Sequence, residues 1–243
     1  MVANSSAFLL AQKRTSPFDT LCLDRIITHA TVPQSAPDPR ESKPQSNILR
    51  QLKMKTALLI VDMQVYFTEM SLSALPQILK LSCFFRSHSL PVLFTQHGHP
   101  DSDFEPPITN QIVRKWGPEN SIHLNTPEWR LQPQLQKLRD EDLDIPVIAK
   151  NTYDAFMGTD LEERLRAMRV ERVVVTGVMT DCCCDTSARS AFNRGFETWM
   201  VSDGCGSAKK RQHEAALKSW AFGYGDVITA AEVEERVKSE TMD

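Results

Sequence analysis

The sequence contains no apolar run approaching the ~20 residues needed to cross a bilayer, so nothing in it reads as a membrane-spanning helix. It also lacks an excess of positive charge. With 28 basic and 31 acidic residues, a net charge of −3 and a pI near 6.1, it offers no electrostatic footprint for nucleic acid or an anionic membrane surface. A spaced cysteine framework is missing too: there are six cysteines, and three of them, Cys182, Cys183 and Cys184, are adjacent. That pattern does not describe a disulfide-stapled secreted domain, and a reducing, cytoplasmic compartment is the expectation. No internal repeat is visible, which argues against a solenoid or propeller.

What is present is a chain of 243 residues, 41% hydrophobic and 24% charged, enough for one large domain or two small ones. It divides near residue 54. Residues 1–53 carry a net charge of +3, while the remainder carries −6. Thr31–Asn47, "TVPQSAPDPRESKPQSN", is polar and proline-rich, as in disordered linkers. The first 18 residues lack acids, a faint organelle-targeting composition, but their apolar stretch is too short for a secretory signal. Residues 1–53 are therefore read as a disordered or accessory extension and 54–243 as the folded domain, with Met54 standing where an initiator could.

From residue 54 onward, short apolar runs alternate with amphipathic stretches. "TALLIV" (Thr56–Val61) is continuously apolar, as in a strand buried on both faces. Helical spacing follows at Leu75, Ile78, Leu79, Leu81 and Phe84/Phe85. Runs "PVLFT", "PVIA", "RVVVT", "FETWMV" and "DVIT" then alternate with helix-sized segments, one of them expected to run as a single helix from Asp181 to Gly195. Six strands separated by helices specify a three-layer, Rossmann-like α/β fold: a six-stranded parallel sheet flanked by helices. The irregular segment Gly98–Pro127 breaks this rhythm, and loops of that length in compact domains are usually functional or disordered.

Ligands of open parallel sheets bind at the carboxyl ends of the strands. Those ends carry Asp62 and Gln64 after strand one, His97 after strand two, Lys150 after strand three, Gly177 and the cysteines after strand four, and Asp203 after strand five. An acid, a lysine and a thiol at one rim form a candidate reaction centre. Three adjacent thiols on a helix point about 100° apart and do not close around one tetrahedral zinc. Cys184 shares a face with Ala188 and Ala191, as an apolar filler would, and Cys182 falls on a face that looks peripheral. Cys183, in the first helical turn, is either another filler or a thiol activated by the helix dipole. Asp62 could equally be a helix cap, and Lys150 a solvated strand-end charge.

Five segments in order, "ALLIVDMQVYF", "VLFTQH", "IAKNTYDAFMGTDLEERL", "VVVTGVMTDCCCDTSARSAFNRGF" and "VSDGCGS", resemble the isochorismatase-like cysteine hydrolase superfamily. That group includes nicotinamidases, carbamoylsarcosine amidases, ureidoacrylate amidohydrolases and isochorismatases, and the likeness spans roughly Lys55 to Val233. It implies an Asp62–Lys150–Cys183 triad, with Asp62 in the family's D-x-Q element and Lys150 ahead of Tyr-x-x-Phe-x-Gly-Thr. Gly177, Thr180, Asp181 and Cys183 match G-x-x-T-D/N-x-C. A cis peptide at Val178–Met179 is implied as well, with an oxyanion hole from the N–H groups of Met179 and Cys183. Gln64, Phe67, His97, Trp116, Tyr153, Phe156 and Thr180 are the candidates to line a pocket, although core packing explains each aromatic equally well. The resemblance also implies a small-molecule substrate and a homo-oligomer.

The chain departs from its nicotinamidase relatives where they carry a metal. "TQHGHPDSDFE" puts His97 where an Asp-x-His element has its aspartate and His99 in the histidine's place, with only Asp101, Asp103 or Glu105 downstream. No metal and no cofactor is therefore expected, and nicotinamide becomes a weaker candidate. The presence of Cys183 favours hydrolysis of a small amide or ureide C–N bond. Vinyl-ether hydrolysis of isochorismate and an inert binding protein on the same fold are the alternatives.

Overall fold

The computed structural model of the chain describes residues 54–242. The extension read at 1–53 lies outside the described residues. β1 (Thr56–Val61) is buried at all six positions. Its side chains alternate: Leu58 and Ile60 enter one core layer, and Ala57, Leu59 and Val61 the other, as the two-residue period of a strand demands. β2 (Val92–His97), β3 (Val147–Lys150), β4 (Arg172–Val178), β5 (Glu197–Gly206) and β6 (Val227–Ile228) complete a six-stranded sheet. The order is β3-β2-β1-β4-β5-β6, with every pairing parallel.

One face is covered by α2 (Leu75–Ser87), α4 (Pro133–Glu141) and α8 (Ala230–Met242), which bury Ile78, Leu81, Phe85, Leu135, Leu138, Val233 and Val237. The other is covered by α5 (Leu161–Ala167), α6 (Asp185–Asn193) and α7 (Lys210–Gly223), through Leu161, Leu165, Ala188, Ala191 and Trp220. α1 (Thr68–Ser71) is a single turn following β1. No helix among the described residues is long and apolar enough to cross a membrane.

The sheet reverses its winding between β1 and β4, where a crevice opens at the strand ends. Three local departures from the sequence reading shape that crevice. β5 does not stop at Asp203 but continues to Gly206, which passes so close to the α1 turn that a Cβ would sit 2.2 Å from Met70 O. The long irregular segment contains α3 (Gln111–Trp116), started by Asn110, whose Oδ1 accepts from the N–H groups of Ile112 and Val113 at 2.9 and 3.3 Å. Finally, the segment after β4 is not one α-helix. Gly177 takes φ +113° with Val61 O only 2.0 Å from any added Cβ, the Val178–Met179 peptide is cis, and Thr180–Cys184 winds as a π-turn before α6 begins. In that turn Cys184 N–H reaches back five residues to Met179 O at 3.1 Å.

Candidate active site

Asp62 closes β1 in a left-handed conformation, φ 49°, which aspartate tolerates better than most residues. Thr95 on β2 holds it from both ends: its Oγ1 donates to Asp62 Oδ1 at 2.5 Å and accepts from Asp62 N–H at 3.1 Å. Lys150 ends β3, and its ammonium is committed in three directions. It donates to Asp62 Oδ2 at 2.6 Å and to Thr152 O at 3.0 Å, and it lies 3.5 Å from Cys183 Sγ. An ammonium has three N–H donors, so this geometry uses all of them. Asp62 and Lys150 side chains are both fully buried. Asp62 is thus no exposed helix cap, and Lys150 no solvated charge.

Electrostatics set the resting protonation. Burial pushes the Asp62 carboxyl up, but the Lys150 charge and hydrogen bonds from Lys150 and Thr95 outweigh it and hold the group below its ordinary range. Burial opposes the Lys150 charge, yet Asp62 and Cys183 raise its affinity for its proton. Cys183 is raised well above an ordinary thiol by burial, opposed by Lys150 and reinforced by a hydrogen bond to Asp62. A thiolate stabilised by the helix dipole alone is therefore not the resting form. At rest Cys183 is a thiol beside the Lys150 ammonium, and proton transfer to Asp62 is uphill until something stabilises the sulfur's charge.

Neighbouring thiols occupy different surroundings. Cys184 is fully buried and its sulfur lies 3.8 Å from Thr176 O, as its filler role required. Cys182 corrects the sequence reading. It is half-buried and lines the central cavity instead of facing a periphery, because the π-turn rotates it relative to a regular helix. Burial, Asp181 and Asp185 push its thiol up to about 11. All five cysteines among the described residues are free.

The cavity beside Cys183 measures about 230 Å³, below the ~300–1,000 Å³ of pockets that hold drug-sized ligands. Phe67, His97, Trp116 and Tyr153 line it as expected, and Trp116 Nε1 donates to Tyr153 Oη at 2.8 Å. Gln64, Phe156 and Thr180 do not line it. Gln64 is a buried clamp: its Oε1 accepts from His97 N–H at 2.8 Å, while its Nε2 donates to His97 O at 2.9 Å and Trp129 O at 2.7 Å. Phe156 packs in the core near Phe196 with Arg194 above its ring. Thr180 donates to Gly206 O at 2.9 Å and meets His213 Nδ1 at 2.8 Å, tying the π-turn to β5 and α7. Lining residues that sequence reasoning missed include Met70, Ile112, Asn120, Ile122 and Gln212. Three of these come from the long irregular segment, whose length was the available signal.

His97 and His99 stand edge to face with ring centroids 4.8 Å apart. Burial and the Lys150 charge push His97 down to about 3, so it is neutral. His97 Nδ1 and His99 Nε2 are buried without hydrogen-bond partners, as metal ligands would be. The third ligand does not fit. Asp103 Oδ2 is occupied by His99 Nδ1, Asn110 Nδ2 and Asn151 Nδ2, each at 2.9 Å. Among the described residues no group of three or more His, Cys, Asp or Glu side chains could hold a metal ion.

The family profile for the isochorismatase domain matches residues 56–232. The chain belongs to the isochorismatase family. Within it, the chain is 34% identical over 173 residues to nicotinamidase 3 of Arabidopsis thaliana, covering 71% of this chain and 83% of that protein. Among solved structures, a cysteine hydrolase from Pseudomonas syringae pv. phaseolicola superposes with TM-score 0.69 at 24% identity, covering 77% of this chain and 94% of that one. A nicotinamidase from Bacillus subtilis superposes with TM-score 0.64 at 26% identity, covering 72% of this chain and all of its own. Membership supports a hydrolase acting on small molecules, and the sheet and its flanking helices match those structures.

Proposed function

We propose that the protein hydrolyses the C–N bond of a small amide or ureide through a thioester on Cys183. The observation that carries this reading is the buried chain of contacts Asp62–Lys150–Cys183, at 2.6 and 3.5 Å, on the wall of a small apolar cavity. The Cys183 proton passes to Asp62 as the sulfur attacks the substrate carbonyl. Lys150, released from part of its pairing with Asp62, then faces the developing negative charge on sulfur. The N–H groups of Met179 and Cys183 serve the carbonyl oxygen as it becomes an oxyanion. Asp62 returns the proton to the departing nitrogen, which leaves as ammonia or an amine. Asp62 next takes a proton from water, hydroxide adds to the thioester, and the carboxylic acid departs as Cys183 regains its hydrogen.

A panel of small amides, ureides and isochorismate, incubated with pure protein and followed by intact mass, tests the proposal. An acyl adduct on Cys183 during turnover of an amide or ureide is the expected result. Turnover of isochorismate alone, with no adduct and unaffected by Cys183→Ala, would replace amide hydrolysis by acid-catalysed vinyl-ether cleavage. Turnover of nothing in the panel would favour a binding protein.

A further inference from the structure

Several buried side-chain atoms among the described residues lack a hydrogen-bond partner, and one belongs to a residue lining the cavity: His97 Nδ1. Its state is defined by what surrounds it. The Thr152 carbonyl, which accepts from Lys150 Nζ at 3.0 Å, faces the ring and favours a hydrogen on its other nitrogen. A carbonyl can only accept, so Nε2 carries the hydrogen and Nδ1 presents a bare lone pair. His99 packs against the ring, and Gln64 grips the His97 backbone on both sides. A rigid acceptor kept dry and unpaired is costly in a folded protein unless a donor arrives from outside.

Position says which donor. His97 is the cross-strand neighbour of Lys150, and its ring feels the charges of both Lys150 and Asp62. In the reaction above, the nitrogen that leaves must lie beside Asp62 to receive its proton. On an amide or ureide that nitrogen carries N–H bonds. On an ester or a vinyl ether the leaving atom is oxygen and carries none.

We infer that His97 is a positioning and specificity residue, its Nδ1 accepting a hydrogen bond from the scissile N–H, so that the site selects amides and ureides with a free N–H over oxygen-linked analogues of the same acyl group. This rests on the cysteine-amidase reading. Holding one N–H on His97 limits rotation of the amide nitrogen and leaves its developing lone pair to face Asp62.

Matched probes isolate the effect: benzamide with methyl benzoate, and nicotinamide with methyl nicotinate, where each pair passes through one acyl-enzyme. His97→Phe should lower the amide-to-ester ratio of kcat/KM roughly tenfold, the loss of one buried hydrogen bond. His97→Asn, whose Oδ1 falls near the position of Nδ1, should hold the ratio within about threefold of the parent protein. An equal fall for amide and ester would mean a merely structural role and overturn the inference. One zinc or iron per chain, released by His97→Phe, would also overturn it. Calorimetry on Cys183→Ala protein needs no turnover: adding His97→Phe should weaken benzamide and nicotinamide but not the esters. Unchanged amide binding there sinks the His97 inference alone, whereas hydrolysis of neither member of any pair sinks the cysteine-amidase reading.

Discussion

His97 makes folding stability depend on pH in a calculable way. Burial and Lys150 lower its pKa from 6.5 to about 3 in the folded protein. An unfolded chain takes up a proton as pH falls below 6.5, while the folded protein refuses one until near pH 3. This contribution to stability is therefore complete above pH 6.5 and drains away as pH falls toward 3. At 1.36 kcal/mol per pH unit, the loss between pH 7 and pH 5 is about 2 kcal/mol. His99 and His213, both lowered chiefly by burial, add losses of the same sign. Asp62 does not enter this window, because a carboxyl held below 3.8 loses its contribution only at lower pH. Urea unfolding at pH 7, 6 and 5 should therefore be compared between the parent protein and His97→Asn, which cannot titrate. The parent should lose about 2 kcal/mol more than the variant over that range. Parallel pH profiles would refute the placement of a neutral, buried imidazole at this position.

The cysteines separate by surroundings. Cys183→Ser should abolish turnover, since Asp62 is too weak a base to deprotonate an alcohol, and iodoacetamide mass mapping with and without substrate should place the protected thiol at Cys183. Cys182→Ser should shift KM by roughly threefold with kcat nearly intact, because it changes the cavity wall and not the proton path. Cys184→Ser should cost about 1–2 kcal/mol in denaturant titration by placing a hydroxyl in the apolar layer. Gly177→Ala should cost at least about 3 kcal/mol, since a methyl must share space with Val61 O at a backbone angle that disfavours it; a melting temperature within two or three degrees of the parent, a shift too small for such a loss, would contradict that.

The sheet was legible because its strands are buried on both faces and so read as uninterrupted apolar runs; Thr56–Val61 is bounded alike in sequence and structure. Reading Asp62 and Lys150 as strand-end residues needed only those boundaries. The π-turn was illegible, because periodicity assumes 3.6 residues per turn and carries Cys182 to the wrong side. Asp203 looked like the end of β5 because glycines weaken strand signals, yet Gly204 and Gly206 are there to admit neighbouring backbone and side chains. Gln64 and Thr180 sit beside the chemistry in sequence, but their hydrogen bonds face inward, and only coordinates reveal which way a polar side chain at a strand end is committed.

The proposed reacting groups, Asp62, Lys150 and Cys183, come from three strand ends widely separated in sequence, whereas one wall of the cavity comes from the contiguous segment holding Ile112, Trp116, Asn120, Ser121 and Ile122. That segment is gathered by Asp103, which accepts from His99 after β2, Asn110 at the start of α3 and Asn151 after β3, and its wall is tied down by Trp116 donating to Tyr153 and by the Asn120 carbonyl accepting from Tyr66. The protein is thus modular in the engineer's sense. Residues 98–127 form a cassette tied to the domain through a few residues, and exchanging it while keeping Asp103, Asn110, Trp116 and Asn120 would redraw what the cavity admits without touching Asp62, Lys150 or Cys183.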